Sequence, residues 1–293
     1  MKIGLCLGEF AWNGGPARMA DTVAAVARTA DDAGFSLIGV GDHLWQGPHA
    51  GGPEQPELEC FTTLAVIAAH TRRALIAPLV AAAHFREPAV LAKMVTTLDV
   101  LSGGRAVLGI GAGWYEEEAV ANGIAYPSLA ERFERVEETI QICKRMWEGE
   151  QGADGPFEGK HYRLARTLNI PQVITRPHPP ILIGGGGEKK TLRLVAKYAD
   201  ACNLYPSPDL GEKLEVLRRH CEAEGRDYDA IEKTIVMPVD VTGDSTKADE
   251  LSGMLRGLSG LGVQTAIGIV AGPDPLRQVE LIGEKVIPAV ADA

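Results

Sequence analysis

Residues 106–114 read Ala-Val-Leu-Gly-Ile-Gly-Ala-Gly-Trp, and residues 128–149 read Ser-Leu-Ala-Glu-Arg-Phe-Glu-Arg-Val-Glu-Glu-Thr-Ile-Gln-Ile-Cys-Lys-Arg-Met-Trp-Glu-Gly. From Ala106 to Ile110 the first run is apolar on both faces, as a parallel strand covered on both sides must be. In the second, Leu129, Phe133, Val136, Ile140, Cys143 and Trp147 recur in steps of four and three; Ser128 stands three residues before Glu131, and Gly149 stops the pattern. That is a capped amphipathic helix. A buried strand followed by such a helix is the repeating unit of a parallel α/β sheet.

Outward from this unit, similar apolar runs lie at Ile3–Leu7, Leu37–Val40, Leu75–Ala81, Ile181–Ile183, Ala201–Tyr205, Thr234–Val241 and Thr265–Val270. Helical stripes follow them: Val23, Val26, Ala27 and Ala30; Leu91, Met94, Val95, Leu98 and Leu101; Leu210, Leu214, Leu217 and Cys221 before Gly225. Helices also fit Phe61–Ala69, Lys189–Tyr198, Lys247–Leu261 and Pro275–Val286, so eight strands alternate with eight helices. The pattern predicts an α/β chain folded as a (β/α)8 TIM barrel. Such a barrel takes about 250 residues and leaves roughly 40 for insertions. One excess loop is Gly47–Glu57. The other, about 149–180, falls between the fourth helix and the fifth strand and contains a hairpin-like Phe157–Leu164. With no linker in view, residues 1–293 are expected to form one domain.

Composition narrows the function. Hydrophobic residues are 45% and charged residues 23%, a globular balance. With 29 basic against 39 acidic residues the net charge is −10, which repels nucleic acid and anionic membranes, and aromatics at 5% are too few for a base-stacking platform. No apolar stretch approaches the ~18 residues of a membrane span. Five scattered cysteines and no leader-like amino end point to a cytoplasmic protein. Neither the cysteines nor the seven histidines show a metal-ligand spacing, so no metal is expected.

In a barrel of this kind chemistry sits at the carboxyl ends of the strands. The second strand runs into Gly41-Asp42-His43, a carboxylate beside an imidazole, which suits proton handling or simply caps a turn. The third carries Pro78 inside its apolar run, a sign of a bulge, followed by Ala81, Ala82, Ala83 and His84; these small residues admit a planar ring or answer a packing demand. After the fourth, Gly109, Gly111 and Gly113 alternate, allowing close backbone approach, but no third glycine falls where a dinucleotide fingerprint needs it. The fifth ends in Gly184-Gly185-Gly186-Gly187 and enters a helix through Glu188, an arrangement that cradles an anion or packs strand against helix. The acidic run 116–118 is expected to be a solvated helix start, and His49, His70, His161, His178 and His220 are expected in solvated or capping roles.

Taken together, Gly-Asp-His after the second strand, Leu101-Ser102-Gly103-Gly104-Arg105 leading to residues 109–115, and Ile181–Gly187 resemble the luciferase-like flavin and deazaflavin oxidoreductases. The resemblance is closest to the branch that uses coenzyme F420, an 8-hydroxy-5-deazaflavin, and it fades beyond about Tyr198. It implies a (β/α)8 barrel with an insertion, and hydride transfer between the coenzyme and a small organic substrate. It implies that Asp42 hydrogen-bonds the coenzyme ring, with His43 beside the reactive carbon as proton donor or substrate anchor. It implies a non-proline cis peptide between Pro78 and Leu79 behind the ring, coenzyme contacts at Ala81, Gly111, Ala112 and Gly113, and a phosphate held by Gly185, Gly186, Gly187 and Glu188. Relatives often dimerise, and a reductase can supply reduced coenzyme. Trp114 stands where the sugar-phosphate dehydrogenases of the family carry a catalytic Glu, and with Trp45 it suggests an apolar substrate pocket. The resemblance also admits an FMN-dependent two-component monooxygenase, and a coenzyme-binding barrel without turnover.

Overall fold

The computed structural model describes residues 1–243 and 246–293. Its parallel strands are β1 (Lys2–Leu7), β2 (Leu37–Val40), β3 (Leu75–Pro78), β4 (Ala81–Ala82) and β5 (Leu108–Gly111), then, beyond a small antiparallel hairpin of β6 (Phe157–Glu158) and β7 (Arg163–Leu164), β8 (Ile181–Gly184), β9 (Ala201–Leu204), β10 (Glu232–Val239) and β11 (Thr265–Val270). The sheet runs β3-β2-β1-β11-β10-β9-β8-β5-β4, and a parallel bridge from Ile76 to Ala106 brings β3 against the start of β5, so the sheet curls into a barrel. The helices on its outer side are α1 (Pro16–Ala33), α2 (Cys60–His70), α3 (Pro88–Ser102), α4 (Glu116–Ala121), α5 (Leu129–Met146), α6 (Thr191–Tyr198), α7 (Leu210–Glu224), α8 (Lys247–Gly260) and α9 (Pro275–Leu281), continued through a π-turn into α10 (Ile287–Val290). Among the described residues no helix is long and apolar enough to cross a membrane.

Local chemistry sets these boundaries. Pro16 and Pro88 open α1 and α3, where a missing N–H costs nothing, and Gly34 and Gly103 close them in the left-handed conformation. The Ser128 hydroxyl accepts the Glu131 N–H at the start of α5, as the capping pattern predicts. The apolar stripe of α5 then buries Val136, Ile140 and Cys143 in the layer between sheet and helices.

A second, smaller core fills the barrel. Cys6, Leu37, Ala77, Val107, Leu182, Ala201, Val236 and Ile267, one from each stave, form it, with Leu79, Val80 and Ile269 packed on it. This plug raises the floor of the mouth to the level of Leu79 and Val80.

The expected third strand is broken into β3 and β4, the first paired with β2 and the second with β5. The non-proline cis peptide lies between Leu79 and Val80, one bond later than the resemblance implies. Register explains the correction. Val40 still faces Pro78, and the Leu79 N–H donates to the Val40 carbonyl at 2.8 Å, so the chain stays on β2 through Leu79 and leaves it only afterwards. Glycine makes room for the bulge: a Cβ on Gly109 would stand 2.0 Å from the Pro78 carbonyl oxygen.

Candidate functional site

Asp42 and His43 follow β2 and turn in different directions. The Asp42 carboxylate, 4% exposed, accepts two hydrogen bonds from Arg86, at 2.7 and 2.8 Å, and a third from the Ala82 N–H at 3.0 Å. Arg86 also reaches Glu59 at 2.9 Å, and Glu59 caps α2. Asp42 therefore ties the end of β2 to β4, and fixes the bulged stave from behind.

His43 meets a partner 75 residues away: its Nδ1 lies 3.0 Å from Glu118 Oε2. The other Glu118 oxygen accepts the Leu44 and Trp45 N–H groups, the latter at 2.8 Å. Burial raises the Glu118 pKa, but the His43 hydrogen bond, the Trp45 and Leu44 N–H groups and the His43 charge outweigh it and hold the carboxyl below its ordinary value. An ionised carboxylate only accepts, so Nδ1 carries the proton and Nε2 has no partner among the described residues. The expectation of a solvated acidic run holds for exposed Glu116 and Glu117 and fails for Glu118, which is fully buried.

This geometry carries a stability prediction. A carboxyl held below its ordinary value stabilises the fold above about pH 4.5 and loses that contribution as pH falls through its lowered value. Glu118→Gln keeps an acceptor for Leu44 and Trp45 but loses the charge, and is expected to cost about 1–2 kcal/mol at pH 7. Urea unfolding at pH 7 and pH 4 checks it: the deficit should shrink in acid.

Beside His43 stands an aromatic wall. Trp114, 51% exposed, stacks on Tyr115 at 5.0 Å and 9°, meets His43 edge-on at 5.4 Å, and lies 5.8 Å from His49. Behind it, Gly113 has φ +76°, and a Cβ there would sit 2.2 Å from His84. Both His84 ring nitrogens are buried without a hydrogen bond among the described residues, and burial, reinforced by the Arg132 charge, pushes its pKa down to about 4. His84 is therefore a neutral polar group behind the loop of Ala112 and Gly113, recognisable from the sequence only by its place after the bulged strand.

The tetraglycine corner closes the opposite side. The Gly185 N–H donates to the Asn203 carbonyl at 2.9 Å, whereas those of Gly186, Gly187 and Glu188 have no partner among the described residues. They precede α6, which begins at Thr191, and the Lys213 side chain from α7 crosses Gly186 while paired with Asp209. Lys213 was not visible from spacing, because tertiary packing alone brings α7 to this corner. The expectation for the remaining histidines fails for His161 of the inserted hairpin, whose side chain is 11% exposed and held 2.6 Å from Glu134 of α5.

Free N–H groups for a phosphate, a raised apolar floor and an aromatic wall are the parts that a phosphate-bearing planar coenzyme requires, and the residues present fit one.

The sequence profile of the luciferase-like monooxygenase family matches residues 1–276. An F420-dependent glucose-6-phosphate dehydrogenase of Nakamurella multipartita is 32% identical over 241 residues, which are 80% of this chain and 66% of that protein. One of Kineococcus radiotolerans is 31% identical over 289 residues, 94% of this chain and 78% of the relative. Among solved structures, an F420-dependent secondary alcohol dehydrogenase in complex with an F420-acetone adduct shares the fold with a TM-score of 0.81 at 17% identity, covering 99% of this chain and 98% of its own.

Proposed function

This chain belongs to the luciferase-like monooxygenase family, and from that premise we propose that it is a deazaflavin-dependent oxidoreductase, moving a hydride between coenzyme F420 and a small organic substrate in the barrel mouth. The observation that carries the reading is the row of unpartnered N–H groups at Gly186, Gly187 and Glu188, set at the carboxyl end of a barrel stave. The naming of both curated relatives as F420-dependent turns it toward a deazaflavin.

When bound, the deazaflavin ring supplies a carbon that gives or takes hydride. The protein does the rest. Gly186, Gly187 and Glu188 bind the phosphate, with Gly185 setting the turn. Leu79, Val80 and Ala81 support the ring from below, and Gly111, Ala112 and Gly113 flank it. Asp42, locked to Arg86, positions the bulged stave. His43, held by Glu118 through Nδ1, uses Nε2 to hydrogen-bond the substrate oxygen and to assist movement of its proton. Trp114 shields the reacting atoms from water. A reductase that supplies reduced coenzyme and a second copy of the chain are the protein partners this reading carries. We place it in the cytoplasm, where its five buried free cysteines stay reduced.

The test is a side-by-side titration of the purified protein with coenzyme F420 and FMN, followed by absorbance and fluorescence. Saturable F420 binding is expected, with FMN at least about tenfold weaker. Gly186→Asp, which puts a carboxylate in the anion cradle, is expected to weaken F420 binding by about 10–100-fold. Tight FMN binding with no F420 binding would reverse the choice of coenzyme.

A further inference from the structure

Trp114 follows β5 by three residues and is pinned where it stands. Tyr115, itself buried, stacks on one face of the indole at 5.0 Å and 9°, and a Cβ on Gly47, in the loop after β2, would fall 3.3 Å from the edge of its six-membered ring. His43 meets it edge-on at 5.4 Å, and His49 lies at 5.8 Å. With all these neighbours Trp114 is still 51% exposed. A rigid indole held on one face and one edge offers the rest of its surface as a flat apolar platform. The platform adjoins His43, the side chain to which the reading above gives the substrate oxygen.

The polar groups around this platform are already engaged. Gln46 donates to the carbonyl of Gly8 at 3.0 Å and to that of Pro56 at 3.2 Å. Glu118 accepts from His43, Leu44 and Trp45, and Arg86 is shared by Asp42 and Glu59. Arg132 donates to the Ala112 and Pro127 carbonyls and lies 3.8 Å over the Tyr126 ring. Among the described residues no lysine or arginine stacks on Trp114 or Tyr115. Glu116 and Glu117, both exposed, open α4 directly after Tyr115. This side of the mouth is therefore apolar and acidic. A sugar can also lie on an indole, but its hydroxyls need polar partners, and a sugar phosphate brings a charge that this rim repels. A neutral aromatic ring needs neither.

We propose that Trp114 determines specificity as the platform on which a neutral, planar aromatic carbonyl compound, an aryl ketone or a quinone, stacks beside His43. The proposal rests on the oxidoreductase reading and gives its substrate a chemical class, distinct from the glucose 6-phosphate for which the F420-dependent relatives are named. An aryl ketone bound there gains a hydride at its carbonyl carbon; the C=O π bond opens onto the oxygen, which takes a proton drawn from solvent through His43. It leaves as the secondary alcohol, and the two electrons it gained leave the coenzyme oxidised. Oxidation of a benzylic alcohol runs the same steps backward.

Single turnovers of bound reduced F420 test it, with acetophenone and the quinone menadione as planar probes and cyclohexyl methyl ketone as the saturated one. A planar probe should be the better acceptor, and Trp114→Ala should slow it about tenfold more than it slows the saturated ketone. Trp114→Phe, which keeps a ring, should retain most of the preference. F420 affinity should stay within about threefold of wild type in both variants, because the phosphate corner lies across the mouth. Glucose 6-phosphate should not reduce bound oxidised F420. A saturated ketone accepted as well as the planar probes, a Trp114→Ala loss that falls on both kinds of acceptor alike, or reduction of bound F420 by glucose 6-phosphate would overturn the substrate class and leave the oxidoreductase reading intact. If the wild-type protein oxidises bound reduced coenzyme with none of the three acceptors, both readings fall.

Discussion

Asp42→Ala is expected to lower folding stability by about 3–5 kcal/mol, read as a drop in the urea midpoint at pH 7. The size follows from what would be left behind. The Arg86 side chain is 14% exposed and, among the described residues, would keep only Glu59, itself 40% exposed, as a countercharge. The Ala82 N–H would lose its acceptor in a buried stretch of backbone. Removing one partner of a buried pair costs more than the pair contributes, because the stranded charge stays desolvated. Asp42→Asn, which retains an acceptor for Ala82, should lose less. A deficit under about 1 kcal/mol for Asp42→Ala would mean that Arg86 finds other partners and that Asp42 does not hold the bulged stave.

His43→Ala is expected to lower kcat by about 10²–10⁴-fold while F420 affinity stays within about threefold of wild type. Nδ1 is held by Glu118 and Nε2 has no partner among the described residues, so truncation removes the group proposed to bind the substrate oxygen and leaves the phosphate corner untouched. Glu118→Gln should lose part of the same activity, since a neutral amide holds the imidazole less firmly. Stopped-flow hydride transfer and equilibrium titration separate the two effects. Unchanged turnover in His43→Ala would remove the residue from the mechanism.

The barrel was legible because its constraint is local. A stave covered on both faces writes a short apolar run, and each helix writes a stripe with a cap, so α5 from Ser128 onward could be read position by position. Placement of Asp42, His43 and the tetraglycine corner at strand ends followed from the same counting. Partnership did not, because it depends on which distant residues a closed barrel brings together. Nothing in the spacing joins His43 to Glu118 or Lys213 to Gly186. The run 116–118 looks uniform in sequence, yet the first turn of α4 sends two of its carboxylates to solvent and one inward. Pro78 marked the irregular stave correctly, while the bond that departs from trans depends on how far β3 stays registered on β2.

A crystal structure of the protein soaked with coenzyme F420 would decide whether this mouth is a deazaflavin site. The expected density places the phosphate within hydrogen-bonding distance of the Gly186, Gly187 and Glu188 N–H groups, and the ring between Leu79–Val80 and Ala112–Gly113, with His43 Nε2 facing its reactive carbon. A corner left empty at saturating coenzyme, with the ring elsewhere or absent, would contradict it.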